Sequence, residues 1–378
     1  SKENQQNENL YLETSDFQIN IISDQIIQIS RIIFRNYTLS TISLPKSQRI
    51  SFQVYDPSIL PLFELPFSIS QIFQFRYAAL CALNEKSYDH SIVQYFHSLM
   101  KSQDPIFNLK HIPNSLDRQQ ILPIFQSLIY IPTIFGISCR NNDTPSIISD
   151  ISSLIAKSSS IRSIKLMNCN SSSDLDIFAQ AISSNKLLPL EELYLNDNEF
   201  EDLGPLINSL SNLQSQMKCL SLSDCGLDDS SLELLGNCLL NSQSLQSLNY
   251  LGIGGTEFKE SSVKNILKYI QTSSQLVNLD LSGSQNFSSI LKSIPGSSIT
   301  DLNLSDCIFD DESVNQLNCV SQFISSLNIS GCDLNFYEVS DIISKLGKKQ
   351  NSLISIKLNG LNFSKDRSFA ILRGFLLT

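Results

Sequence analysis

The chain has 378 residues, 42% of them hydrophobic, with a formal net charge of -10 and a pI of about 4.8. That is enough apolar material for one long domain or several ordinary ones. The acidic balance speaks against a nucleic-acid backbone as the main partner, because phosphate contact needs clustered Lys and Arg. It also speaks against adhesion to anionic membrane by bulk charge alone.

The N-terminus, Ser1 to Asn9, is polar and lacks the apolar core of a signal peptide. Residues 10 to about 56 read as short β-strands: Leu10 to Ile22, Gln25 to Phe34, Tyr37 to Leu44 and Arg49 to Tyr55 are rich in Ile, Tyr, Phe and Thr. Pro57, Pro61 and Pro66 punctuate the next stretch. An apolar helical pattern then runs from Ile69 through Ile72, Phe73 and Phe75 to Leu80. Strands closed by a helix suggest a small β-barrel or sheet. Its main cations are Arg31, Arg35, Lys46 and Arg49. They read first as scattered solvated charges, and as candidates for weak contact with lipid headgroups.

Ile121 to Cys139 carries no charge and is long enough to span a bilayer. Pro123, Pro132 and several polar residues interrupt it, and it fits the helix-then-strand rhythm of the residues C-terminal to it. It therefore reads as a buried first repeat.

From there a spacing recurs: apolar-x-x-apolar-x-apolar-x-x-(Asn/Cys/Thr)-x-apolar. It occurs as Ile161-Ile164-Leu166-Cys169, Leu190-Leu193-Leu195-Asn198-Phe200 and Met217-Leu220-Leu222-Cys225-Leu227. Leu248-Leu251-Ile253-Thr256-Phe258, Leu276-Leu279-Leu281-Ser284 and Ile299-Leu302-Leu304-Cys307-Phe309 come next. Ile324-Leu327-Ile329-Cys332-Leu334 and Leu353-Ile356-Leu358-Leu361-Phe363 complete the series, and Ile131-Ile134-Gly136-Cys139 reads as a degenerate earlier copy. Most steps lie near the long end of the roughly 20–29-residue range of leucine-rich repeats.

The expected fold is therefore α/β: a leucine-rich-repeat solenoid, a horseshoe or arc of the long, ribonuclease-inhibitor-like type, with about eight or nine repeats over residues 116–378. In each copy a short strand sends its apolar residues inward and its intervening residues outward. The outward positions Lys165, Tyr194, Ser221, Gly252, Asp280, Asn303, Asn328 and Lys357 are the candidate concave-face partner-binding residues. Cysteines at 139, 169, 225, 307 and 332 recur at the turn after the strand, where a small polar group satisfies buried backbone. With an odd total of 9 cysteines and no CxxC pair, a reducing compartment is expected. Asp228-Asp229-Ser230-Ser231, Glu260-Ser261-Ser262 and Asp310-Asp311-Glu312-Ser313 read as helix caps.

The catalytic inventory is thin. His90, His97 and His111 all precede the repeats, and none has metal-ligand spacing. Gly252-Ile253-Gly254-Gly255 lies across a repeat strand and its turn, so its small residues shape the sheet face. No catalytic residue, cofactor or metal is assigned, and the chain is not expected to be an enzyme.

The run Phe75-Arg76-Tyr77-Ala78-Ala79-Leu80-Cys81-Ala82-Leu83-Asn84 resembles the linker of the CARMIL proteins, which link capping protein, the actin-nucleating complex and myosin-I. Val93 lies in a short linker stretch, and Phe107-Asn108-Leu109 resembles that family's entry strand. Leu276-Val277-Asn278-Leu279-Asp280-Leu281-Ser282-Gly283, Gln322-Phe323-Ile324-Ser325-Ser326 and Leu327-Asn328-Ile329-Ser330 resemble its repeats. The resemblance implies a β-rich, partial pleckstrin-homology-like domain at residues 1–74, a helical linker and N-terminal cap at 75–115, and the repeats thereafter. It further implies a protein-binding scaffold in the cytoplasm, at the cell cortex or plasma-membrane periphery. The partners would be actin regulators or myosin-I, with weak lipid contact through the β-rich region and no nucleic acid. The family's dimerisation segment and its capping-protein-binding tail have no counterpart here. The chain ends on apolar Phe369 to Leu377, which reads as a truncated piece or a divergent relative. A GTPase regulator like the Ran GTPase activators, or a sensor or inhibitor repeat module, is the alternative function.

Overall fold

A computed structural model of the chain describes residues 8–13, 18–41, 68–103, 105–111, 118–129, 131–140, 147–169, 174–346 and 355–361. Lys46, Arg49, the expected strand from Arg49 to Tyr55 and the C-terminal apolar run lie outside the described residues.

At the N-terminus β1 (Glu8–Glu13) and β2 (Gln18–Ser23) form an antiparallel hairpin, so the expected strand from Leu10 to Ile22 is two strands. The next expectation is overturned. Gln25 to Phe34 and Tyr37 to Leu44 were expected to be strands, but α1 (Ile26–Thr41) runs through them. Ile, Phe and Tyr favour strands by composition. The spacing of Ile26, Ile29, Ile33 and Tyr37 is that of a helix face, and those four are buried or half-buried while Ile27, Gln28, Arg31 and Ile32 are exposed. Arg31 and Arg35 therefore sit on a helix. Among the described residues, a hairpin and a helix are what stand where a pleckstrin-homology-like sheet was expected.

Helix α2 (Ile69–Leu83) starts at a capping box. Ser68 accepts from Gln71 N, while the Gln71 side chain accepts from Ser68 N. Phe73, Tyr77 and Cys81, four residues apart, form its buried stripe. Phe73 stacks on Phe96 of α3 (His90–Leu99), with ring centroids 3.9 Å apart. The linker run is thus the apolar cap on the first repeat.

The body of the molecule is a ten-stranded, wholly parallel sheet. Its strands in chain order are β3 (Ile106–Asn108), β4 (Gly136–Arg140), β5 (Ser163–Met167), β6 (Glu192–Tyr194) and β7 (Cys219–Ser221). The order continues with β8 (Tyr250–Gly252), β9 (Asn278–Asp280), β10 (Asp301–Asn303), β11 (Ser326–Asn328) and β12 (Ser355–Lys357). Spatial order equals chain order, as in a repeat solenoid. The sheet begins at β3, where Phe107-Asn108-Leu109 resembles an entry strand within the span read as helical linker and N-terminal cap.

Each crossover carries a helix: α4 (Arg118–Leu128), α5 (Ile147–Ile155), α6 (Leu175–Ser184), α7 (Gly204–Ser211) and α8 (Asp229–Asn241), then α9 (Glu260–Thr272), α10 (Ser288–Ser293), α11 (Asp311–Val320) and α12 (Phe336–Lys345). Consecutive helices pack side by side. The inward residues of the strands, such as Leu193, Leu220, Leu251 and Leu279, form one continuous core with the helices' buried faces. Fully burying each such side chain stabilises by about 1.5–3 kcal/mol. The stretch Ile121 to Cys139 divides into the second half of α4 and β4, and no helix among the described residues is long and apolar enough to cross a membrane.

The turn after each strand is held by a ladder. Asn198 donates Nδ2 to Leu166 O at 2.8 Å and to Leu195 O at 2.7 Å, and its Oδ1 accepts from Cys169 N at 2.8 Å. One repeat on, Cys225 Sγ donates to Leu195 O at 2.8 Å. Cys307 and Cys332 donate likewise to Leu281 O and Leu304 O, at 3.1 and 2.9 Å. Cys139 does not belong to this ladder: it pairs with Leu166 inside the sheet, and Ile137 pairs with Ile164. The degenerate copy is thus registered as Ile134-Ile137-Cys139, three residues later than the spacing suggested. Its true strand alternates Ile and Cys, and the isolated Ile131 drew the pattern out of step.

Candidate protein-binding surface

Strand residues alternate between the helix-covered side and the open side of the sheet. The eight candidate residues fall on one register row. Lys165, Tyr194, Ser221, Gly252, Asp280, Asn303, Asn328 and Lys357 are successive cross-strand partners, and the row extends back through Ser138 and Asn108. They are not equally accessible. Ser221, Gly252 and Asp280 are buried, while Lys357 is exposed and the remaining four are half-buried.

The same face carries a second row, two residues earlier in each strand: Glu192, Cys219, Tyr250, Asn278 and Asp301 among others. The reading of one residue per strand missed it. The signal was present, because period-2 alternation puts both outer residues of a three-residue strand on one face.

The two rows are knitted together. Lys165 Nζ lies 4.8 Å from the Tyr194 ring centroid and 3.4 Å from Glu192 Oε2. Ser163 Oγ donates to the same carboxylate oxygen at 2.8 Å. The Tyr194 and Tyr250 rings lie 5.8 Å apart, tilted by 49°. Tyr250 OH donates to Asp280 Oδ2 at 2.9 Å. Asn303 Nδ2 donates to Asp280 Oδ1 at 2.9 Å, and Asn328 Nδ2 to Asn303 Oδ1 at 2.7 Å. Burial pushes both tyrosine hydroxyls up, assisted by neighbouring Cys219 at Tyr194 and by Asp280 at Tyr250. Both are neutral donors at physiological pH.

The glycines at the middle of this face leave no room for side chains. A Cβ on Gly252 would meet Ser221 Oγ at 2.3 Å, and one on Gly254 would meet Ser282 O at 2.4 Å. The glycine-rich run therefore brings neighbouring backbones close together, as a packed sheet face requires. At the row's N-terminal end a cleft of about 500 Å3 is lined by Tyr95, Asn108, His111, Ser138 and Lys165. Tyr95 OH accepts from Asn108 N at 2.9 Å, which occupies a backbone donor on the edge strand.

Asp228 and Asp310 are helix caps as expected, accepting from Ser231 N and Ser313 N at 2.8 and 2.7 Å. Glu260 lies in the first turn of α9, whose cap position is Lys259. No group of three or more His, Cys, Asp or Glu among the described residues is arranged to hold a metal. Of the membrane-facing candidates, Arg31 is exposed on α1 and Arg35 lies on the same helix.

This architecture defines an α/β repeat solenoid of leucine-rich-repeat type. No family model matches the chain. Among solved structures, the tropomodulin C-terminal domain from Caenorhabditis elegans is similar over 47% of this chain and 90% of that one, at 13% sequence identity and a TM-score of 0.28. So distant a likeness says nothing of what this chain binds.

Proposed function

We propose that this chain is a non-enzymatic, protein-binding scaffold that acts through the open face of its sheet. The observation that carries the reading is the continuous polar and aromatic surface from Lys165 to Asn328, in which each side chain is positioned by the next. Pre-ordered side chains lose little entropy on association, and tyrosines anchored at one end are favoured contact residues.

The finer assignment rests on the resemblance of Phe75 to Asn84 to the CARMIL linker. It makes the chain a regulator of actin assembly in the cytoplasm, at the cell cortex. Actin regulators or myosin-I would be its partners, with lipid contact through the N-terminal region.

The test is capture from cytosolic extract with the chain as bait, read by mass spectrometry. Enrichment of cortical actin regulators or a myosin is expected. A small GTPase as the main captured protein, with its single-turnover hydrolysis accelerated by the chain, would overturn the reading in favour of a GTPase regulator.

A further inference from the structure

The open face is not electrically uniform. Along its two strand rows and the adjoining turn, Lys165 lies on the third strand and Lys357 on the last. Between them, among the described residues of those rows and the left-handed turn positions after them, the charged residues are all acidic: Glu192, Asp197, Asp224, Asp280, Asp301 and Asp306. Lys218, just before β7, is already paired with Glu191 Oε2 at 2.5 Å.

Two acids of the turns crowd each other and Asp280, the partner of Tyr250. Asp197 and Asp224 occupy left-handed turn positions of successive repeats, at φ of 61° and 55°. Burial raises the Asp224 carboxyl above the usual carboxylate range, and Asp197 and Asp280 raise it further. An unbalanced group of carboxylates favours a cation brought from outside. A second, independent feature lies beneath the ring pair. Ser221 Oγ, fully buried beside the Tyr250 phenol, closes no hydrogen bond of good geometry. A buried hydroxyl left open is costly unless something comes to meet it.

The chain also shows what suits this surface. Lys165 rests its own ammonium on the Tyr194 ring and against the Glu192 carboxylate. It is an internal cation seated on an aromatic–carboxylate pair. The next such pair along the face, Tyr250 with Asp280, has no cation in those rows among the described residues. An arginine suits it best: its planar guanidinium stacks on a ring while its N–H groups reach carboxylates.

We propose that the Tyr194–Tyr250 pair, with Asp280 and Asp224 beside it, binds an arginine-bearing segment of a partner protein. The proposal deepens the protein-binding reading and rests on it. The partner is basic where the chain is acidic, and its arginine continues the cation–aromatic arrangement that Lys165 begins.

The probe is a short, end-blocked, fluorescent peptide that alternates arginine with glycine and serine, titrated by anisotropy at physiological salt. A second peptide with glutamate in place of arginine is the control. The wild-type chain is expected to bind the arginine peptide and not the glutamate one. Asp280→Asn, which keeps an oxygen for Tyr250, and Tyr250→Ala are each expected to weaken binding about fivefold. Asp311→Asn makes the same charge change on the helix side and should leave affinity unchanged.

Equal weakening by Asp311→Asn and Asp280→Asn would overturn the proposal, because binding would then follow net charge alone. So would absence of binding to the wild-type chain. If Tyr250→Ala fails to fold, the comparison of Asp280→Asn with Asp311→Asn decides. Should extract partners be lost with open-face variants yet not be displaced by the arginine peptide, this proposal fails and the protein-binding reading stands.

Discussion

Asn328 donates its side-chain amide to Asn303 Oδ1 across neighbouring strands, at 2.7 Å. Asn303 in turn donates to Asp280 Oδ1, so three repeats share one chain of hydrogen bonds. Each oxygen also accepts a backbone N–H two residues on, from Ser282, Ser305 and Ser330. The side chains are thereby fixed to the turns after their own strands. The ladder runs across the sheet at right angles to the strands and ties successive repeats together on the side the helices do not cover.

Asn303 is its middle rung. Asn303→Ala removes a donor and an acceptor at once and should cost about 1–2 kcal/mol of unfolding free energy. Asn303→Asp should cost more at neutral pH, because it sets a carboxylate directly against Asp280. Denaturant unfolding of the two variants checks the order; equal losses would mean that the ladder carries no charge sensitivity.

Asn198 satisfies three buried backbone groups in its turn. Asn198→Ala is expected to destabilise by roughly 2–4 kcal/mol, the cost of leaving such groups unpaired. Cys225→Ser should be far milder, about 1 kcal/mol, because a hydroxyl can still donate to Leu195 O. Burial holds the Cys225 and Cys307 thiols up at about 12. At pH 8 a thiol reagent should therefore spare both in the folded chain and modify the exposed Cys319 first. Peptide mass mapping reads the outcome.

Two acids should respond to pH with opposite sign. The Ser313 hydroxyl beside it and the Ser313 backbone N–H, which it accepts at 2.7 Å, hold Asp310 below the usual carboxylate range. Its stabilisation is fully present above the unfolded value of about 4 and is lost as pH falls through the lower folded value. Asp310→Ala should then cost about 1 kcal/mol at neutral pH, with the gap closing in acid. Asp224 is raised instead, by burial and then by Asp197 and Asp280. Its charge opposes folding at neutral pH, so Asp224→Asn should be more stable than wild type there. That gain should vanish below pH about 4, where both states are protonated. Thermal melts across pH test both signs.

Gly236 sits where α8 and α9 touch. A Cβ there would lie 2.9 Å from Asn265 Cβ and 3.1 Å from Ile266 N. Ala is the better helix former by about 1 kcal/mol. Overpacking costs about 1–3 kcal/mol, and both obstructing atoms are at or near backbone. The steric term should win, making Gly236→Ala destabilising, as chemical denaturation would show.

The sheet was legible because Leu166, Leu195, Leu222 and their successors repeat a spacing that few other folds produce, and period-2 alternation then put Lys165 to Lys357 on one face. The network on that face was not legible. Tyr250 reaches diagonally to Asp280, and a diagonal contact depends on register and side-chain length, which a linear pattern does not state. The N-terminal helix was misread for a different reason. The β-forming composition of residues 25 to 44 outweighed the spacing of Ile26, Ile29, Ile33 and Tyr37, and in the folded chain that spacing decided. Cys139 was displaced by three residues because one apolar residue too many, Ile131, matched the template.

The measurement that bears most directly on the account is capture of partners from cytosolic extract by wild-type chain and by an open-face variant carrying Tyr250→Ala and Asn303→Asp. A helix-side variant, Asp311→Asn, serves as control, and folding of each is checked by circular dichroism. A set of proteins, cortical actin regulators or a myosin among them, should be retained by the wild type and the control and lost with the open-face variant. Retention of the same set by all three chains would contradict the assignment of binding to the open face of the sheet.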